Sequence, residues 1–182
     1  MTTAFRQSAP FIKGHEAELL VATFLREERG YHILPACDYS GADGGKAPKI
    51  QGANDGIVVP DLGMARSGSL KWAEVKYKWR PTFTRATRSL NHGIGRRKWC
   101  HYVRFEQKTG QRVWIFIVEG CSQKLLFERL DLLGPPNYVY KGEKMDPGGM
   151  AFWPRASFGS LVLNAIPGLF DTKIPLPFEQ SE

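Results

Sequence analysis

Apolar residues recur along this chain at two spacings, and each spacing predicts an element. Over residues 14–29, GHEAELLVATFLREER, Leu20, Val21, Phe24 and Leu25 return at the interval of an amphipathic helix. Gly30 is its expected cap, and residues 31–35, YHILP, read as a short strand. Residues 56–62 and 70–79 are apolar-rich runs on either side of a turn-forming segment, residues 63–69, and predict a hairpin. Side chains alternate faces along a strand, so Glu74 and Lys76 point one way while Ala73, Val75 and Tyr77 form the opposite, buried face. Residues 96–109, RRKWCHYVRFEQKT, predict a second helix ended by Gly110. Trp99, Tyr102, Val103 and either Phe105 or Glu106 face the core, and Lys98, Arg104 and Lys108 lie opposite. Residues 112–119, RVWIFIVE, are continuously apolar, as in a strand buried on both faces.

The segments between these elements lack a clean period. Residues 37–54 are rich in Gly and polar residues and read as a loop. Their Gly44-Gly45-Lys46 is no phosphate loop, because Ser40 and Ala47 stand where that motif needs Gly and Ser or Thr. Residues 80–97, RPTFTRATRSLNHGIGRR, also read as a loop. Within it His92 is expected to be solvated or in contact with substrate, whereas His101 in the second helix is expected to be structural. From Cys121 onward, SQKLLFERLDLL fits helix or strand, and the stretch to Arg155 fits a hairpin or a packing flap. Residues 160–163 fit an added edge strand, and residues 167–182 an extended tail.

Composition narrows the class. A chain of 182 residues, 42% hydrophobic and 24% charged, suits one globular domain over 1–182, with a core at about 12–120 and a C-terminal extension at about 121–182. No apolar run reaches the ~20 residues of a membrane span, and the first residues lack the apolar stretch of a signal peptide. Three widely spaced cysteines argue against a disulfide framework and fit the cytoplasm, and no Cys or His pairs stand at zinc spacing. The net charge is +7 and unevenly placed: residues 66–112 hold thirteen Lys and Arg against Glu74 and Glu106 alone. Such a block implies a polyanionic partner, most simply nucleic acid.

The candidate chemistry lies in the predicted hairpin. Asp61 follows Pro60 at the end of the first run, and Glu74, Val75 and Lys76 sit inside the second. A carboxylate and an ammonium among apolar positions are costly unless they pair or bind something. A divalent cation held by Asp61 and Glu74, with Lys76 beside the reacting group, gives a reason for both, since Mg²⁺ takes oxygen ligands and needs only one or two carboxylates. Pro60-Asp61 followed by Glu74-x-Lys76 resembles the PD-(D/E)xK nuclease superfamily, which includes restriction endonucleases and archaeal-type Holliday junction resolvases. The resemblance covers roughly residues 12–120, with a Glu-bearing helix before the motif and a basic segment after it.

The resemblance implies an α/β restriction endonuclease-like core, a mixed central β-sheet flanked by helices in the order α-β-β-β-α-β, with an irregular C-terminal extension. It implies a DNA endonuclease that hydrolyses phosphodiesters with Mg²⁺, Mn²⁺ being able to substitute, and leaves a 5′-phosphate. Asp61 and Glu74 would hold the metal, the carbonyl of Val75 would be a third oxygen, and Lys76 would orient or activate water. A glutamate on the first helix joins the site in some members; Glu18 is the better match and Glu16 the fallback. Lys78, Arg80, Arg85, Arg88, Arg96, Arg97 and Lys98 would grip the DNA backbone, as arginine suits phosphate. Resolvase-like members imply a homodimer, though no dimer face is legible in this chain. The alternative is a nucleic-acid-binding module on the same scaffold that does not hydrolyse, with Asp61, Glu74 and Lys76 as a structural ion pair.

Overall fold

The structure is a computed structural model that describes residues 9–35, 49–51, 56–141 and 148–163. The first helix, α1 (Ala9–Glu27), begins earlier than its apolar pattern implies, with Pro10 in the first turn, where a missing N–H costs nothing. Four short or medium strands follow: β1 (His32–Pro35), β2 (Lys49–Gln51), β3 (Gly56–Val58) and β4 (Leu62–Arg66). Next come the long strand β5 (Ser69–Lys78), then β6 (Thr82–Thr84), β7 (Ser89–Gly95), helix α2 (Arg96–Thr109), β8 (Val113–Glu119) and β9 (Lys124–Arg129). The chain continues through a one-turn helix, α3 (Leu130–Leu133), strands β10 (Tyr138–Tyr140) and β11 (Met150–Pro154), a 3₁₀ turn (Arg155–Ser157) and β12 (Gly159–Val162).

The central sheet has six strands in the order β1-β4-β5-β8-β9-β12. Only β5 and β8 run parallel, Glu74 opposite Ile115 and Lys76 opposite Ile117, so the sheet is mixed. On one face Ala17, Leu20, Val21, Phe24 and Leu25 of α1 pack on Ala73, Val75, Phe116 and Val118. On the other, Ile115, Ile117 and Leu126 meet Tyr102 and Phe105 of α2 together with Ile94, Ala151 and Trp153. Those last three belong to a second sheet, β10-β11-β7-β6, and β2 and β3 form a separate pair. The sheet is therefore enclosed by a helix on one side and by a helix and a small sheet on the other. No helix among the described residues is long and apolar enough to cross a membrane.

The structure departs from the sequence pattern at the strand before the motif, at its turn and at residues 80–97. The strand before the motif is not one run over residues 56–62. Residues 56–58 pair with 49–51, Val59 to Asp61 leave the ladder, and the partner of β5 is Leu62–Arg66. Pro60 has no N–H to give a ladder, so the break falls beside it. The true turn is Ser67-Gly68, both left-handed (φ 50° and 76°), which is the two-residue connection whose twist suits a hairpin. Residues 80–97 are not a loop but the β6–β7 hairpin leading into α2. Their partner strand, β11, lies far along the chain, so no local period signals them. The extension beyond residue 120, irregular in composition, supplies β9 to β12, and β12 takes the edge position expected near residues 160–163. The loop acids Asp38, Asp43 and Asp55 and the tail after residue 163 lie outside the described residues.

Candidate active site

The break at Val59 to Asp61 is what aims the first acid. Leaving the ladder just before β4, Asp61 turns its carboxylate across to the middle of β5, where Oδ2 accepts the backbone N–H of Val75 at 2.9 Å. Glu74 and Lys76 stand on β5 to either side of that amide. Alternation puts Val75 into the α1-facing core and its two neighbours on the opposite face. Lys76 Nζ contacts Glu74 Oε1, lies 3.5 Å from Asp61 Oδ2, and donates to the carbonyl of Val75 at 2.8 Å. Two carboxylate oxygens and one carbonyl thus converge on a single ammonium.

Helix α2 supplies two further groups. Lys98 Nζ donates to Glu74 Oε1 at 3.1 Å, and the Tyr102 hydroxyl donates to Glu74 Oε2 in a short contact. The apolar period of the helix puts Lys98 on its outer side and Tyr102 in the core. The spacing explains the miss: 98, 102 and 105 are i, i+4 and i+7, one helical stripe, and the long lysine stem carries its charge over the core edge to Glu74.

The electrostatics are uneven. Glu74 is fully buried, and burial alone would raise its pKa, yet Lys76, Lys98 and hydrogen bonds from Lys76 and Tyr102 hold it at about 2. Asp61 goes the other way. Burial and the charge of Glu74 push it up to about 7 despite Lys76 and Lys98. Lys76 is raised above the usual lysine value: burial opposes its charge, and Asp61 and Glu74 more than offset it. One ammonium is shared between two acids, and Glu74 takes the larger share.

Glu18 stands close enough for its charge to raise both Asp61 and Lys76, whereas the charge of Glu16 acts on Tyr77. Of the two helix acids, Glu18 is the one turned towards the site, half-buried and 3.9 Å from His15 Nδ1. Among the described residues, no three or more His, Cys, Asp or Glu side chains stand together as a metal-holding group. The oxygens that converge on Lys76 are those of the two carboxylates and the Val75 carbonyl. They still suit a hard divalent cation, because those three oxygens already surround one cationic group and no soft ligand is among them.

His92 is not the solvated loop residue that its neighbours suggest: it is 2% exposed on β7, with Nε2 2.6 Å from Glu119 Oε2 at the end of β8. Arg155 grips the same carboxylate through both Nε and Nη2, and Ser122 donates to it as well. His101 lines a pocket of about 230 Å³ on α2 with Arg96, Arg97, Cys100 and Arg104. Arg80, Arg85, Arg88, Arg96 and Arg97 are exposed, and Lys78 is half-buried at the end of β5.

No protein-family model matches the chain, and no curated protein matches it by sequence. Two of the solved structures to which the chain is similar are the following. One is Hjc of Archaeoglobus fulgidus, a Holliday junction resolvase from an archaeal hyperthermophile: 12% identity, TM-score 0.48, covering 80% of this chain and 91% of that one. The other is D212, a nuclease from a fusselovirus: 12% identity, TM-score 0.44, covering 94% of this chain and 96% of that one.

Proposed function

We propose that this chain is a divalent-metal-dependent endonuclease that hydrolyses phosphodiester bonds in DNA. The observation that carries the reading is the convergence of Asp61, Glu74 and the Val75 carbonyl on Lys76, at a point where the lysine side chain is still 24% exposed. Those three oxygens would hold Mg²⁺, or Mn²⁺ in its place. Bound there, the ion would supply Lewis-acid polarisation of the phosphate and acidify water.

The protein's own groups have distinct tasks. Asp61 and Glu74 bind, and Asp61 must lose its proton to do so, which its value of about 7 permits near neutrality. Tyr102 and Lys98 fix the rotamer of Glu74 and keep it ionised. Lys76, on a flexible stem, moves aside from the oxygens and places its ammonium against the phosphate, where it offsets the charge that grows in the transition state and orients the attacking water. Glu18 adds negative charge on the helix side. Lys78, Arg80, Arg85, Arg88, Arg96 and Arg97 hold the sugar–phosphate backbone, so binding weakens with salt by about one unit of log–log slope per phosphate neutralised. The resemblance of the motif implies a 5′-phosphate product.

The ion pairs also suit a second reading, a binding module in which Asp61, Glu74 and Lys76 are structural. Cleavage of plasmid and branched DNA with Mg²⁺, comparing wild type with Asp61→Ala and Lys76→Ala, separates the two. The nuclease reading expects both variants to lose at least about 100-fold. Equal activity in all three proteins eliminates this site, and Mg²⁺-indifferent binding without product favours the module.

A further inference from the structure

The β6–β7 hairpin leaves the end of β5 two residues after Lys76 and carries an apolar surface where an edge hairpin ordinarily carries polar residues. Phe83 and Leu90 are cross-strand partners, so they share one face, and they are 59% and 49% exposed. Trp79, at the hairpin base, is 48% exposed and rests on Gly120, where a Cβ would meet its ring at 2.6 Å. The opposite face of the hairpin packs inward through Thr84 and Asn91. Its turn is tied by Asn91 Nδ2, which donates to the Ser89 carbonyl and to the Ser89 and Thr87 hydroxyls, and Arg88 accepts a left-handed φ of 48° to close it. The apolar pair is thus presented on a pinned ribbon. Arg80 lines a hollow of about 440 Å³ with Pro81, Thr82, Phe83 and Leu90, Arg85 and Arg88 stand at the tip, and no Asp or Glu occurs from Lys76 through Phe105.

We infer that this ribbon is a base-stacking wedge: Phe83 and Leu90 pack against the bases of unpaired or unstacked nucleotides while Arg80, Arg85 and Arg88 neutralise the flanking phosphates. The inference rests on the DNA-cleaving reading and names the substrate class it implies, DNA with exposed bases near the scissile bond. Charge favours this occupant over a protein, because a purely cationic rim around an apolar pair complements a polyanion whose bases offer flat apolar faces. Apolar wedges at base steps unstack DNA in this way. The geometry is compatible with simultaneous engagement: Lys76 and Phe83 are seven residues apart, at most about 25 Å along the chain, or no more than about seven stacked nucleotides.

The experiment measures binding in EDTA, where cleavage plays no part. Fluorescence anisotropy reads the affinity of the full chain for a 20-nucleotide oligothymidylate and for a duplex of equal length, in wild type and in Phe83→Ser/Leu90→Ser. Both positions are exposed, so the fold is kept, and circular dichroism with sedimentation checks this. The double variant loses roughly tenfold or more on the single strand, the size of one base–aromatic stack, and less than about twofold on the duplex. Equal losses on both substrates, or none on either, overturn the wedge. So does a wild-type dimer that the variant turns to monomer, which would make the patch a self-association surface. Because binding is read in EDTA, without turnover, its outcome does not depend on whether Asp61 and Glu74 support cleavage, so failure of the wedge is distinguishable from failure of the nuclease site.

Discussion

Two glutamates on neighbouring strands of the central sheet, Glu74 on β5 and Glu119 on β8, are almost completely buried, and they are served very differently. Glu119 has a dedicated bidentate arginine, a hydroxyl and a histidine. Burial would raise its pKa, but these partners bring it down to about 2, and burial keeps His92 below its ordinary value and thus a neutral donor. One negative charge meets one positive charge and the cluster is closed. It fastens β7 and the 3₁₀ turn to the end of β8, holding the second sheet on the first. At Glu74 two acids contend for Lys76, with Lys98 reaching in from the rim, and Asp61 is left near pH 7. A cluster that only stabilises a fold resembles the first. One in which an acid is left imperfectly paired beside solvent has the character of a functional site.

The largest expected difference between the two clusters is in catalysis. Asp61→Ala and Lys76→Ala remove Mg²⁺-dependent cleavage by at least about 100-fold, while the folded fraction of Glu119→Gln cuts at a rate within a few-fold of wild type. Rates normalised to folded protein check this. Stability reverses the ranking. Glu119→Ala leaves Arg155 without its partner and exposes a cavity beside His92; because Arg155 is partly solvated, the loss is about 2–3 kcal/mol, or a Tm lower by roughly 5–10 °C in thermal melts.

A third, smaller effect depends on pH. Folded Asp61 keeps its proton to about pH 7, whereas the unfolded residue loses it near 3.8. The folded state therefore binds the extra proton between these values, and wild type loses stability from this group as pH rises across the window. Asp61→Asn removes the penalty. Its advantage over wild type in urea melts grows from pH 4 to pH 7 and levels off above, reaching about 1–2 kcal/mol, a fraction of what the full shift corresponds to. The closed cluster has the opposite sign: its stabilisation is complete above 6.5 for His92 and above 4.5 for Glu119, and is lost as pH falls below those values. The smallest effect is that of Tyr102→Phe, which keeps the ring in the core but deletes the donor to Glu74, lowering cleavage by about three- to tenfold with little change in Tm.

The open cluster was more legible in the sequence than the closed one, for a physical reason. Glu74 and Lys76 are two residues apart on a strand, so period two alone puts them on one face, and Asp61 lies one short turn away. Lys98 and Tyr102 were hidden because a helical stripe read from apolar residues assigns a lysine outward, although its stem can span the core edge. Glu119, His92 and Arg155 come from three elements separated by 27 and 36 positions. No local period connects them, and the Asn and Gly flanking His92 look like a loop. The second sheet was missed likewise, since β7 finds its partner in β11. Strands β1, β5 and β8, helix α2 and the edge position of β12 followed from patterning; β4 and the break at Pro60 that aims Asp61 did not, because an apolar run continues through Pro60 and the glycine-containing residues after it read as a turn.

Whether Asp61 and Glu74 form a cation site that Lys76 shares is decided by Mn²⁺ titration in the absence of DNA, the free ion being followed by its EPR signal. A shared site binds one Mn²⁺ in wild type at pH 8, binds it more weakly below pH 7 as Asp61 takes up its proton, and loses at least about tenfold in affinity in both Asp61→Ala and Glu74→Gln. Wild-type Mn²⁺ affinity in both variants would mean that these carboxylates hold no cation.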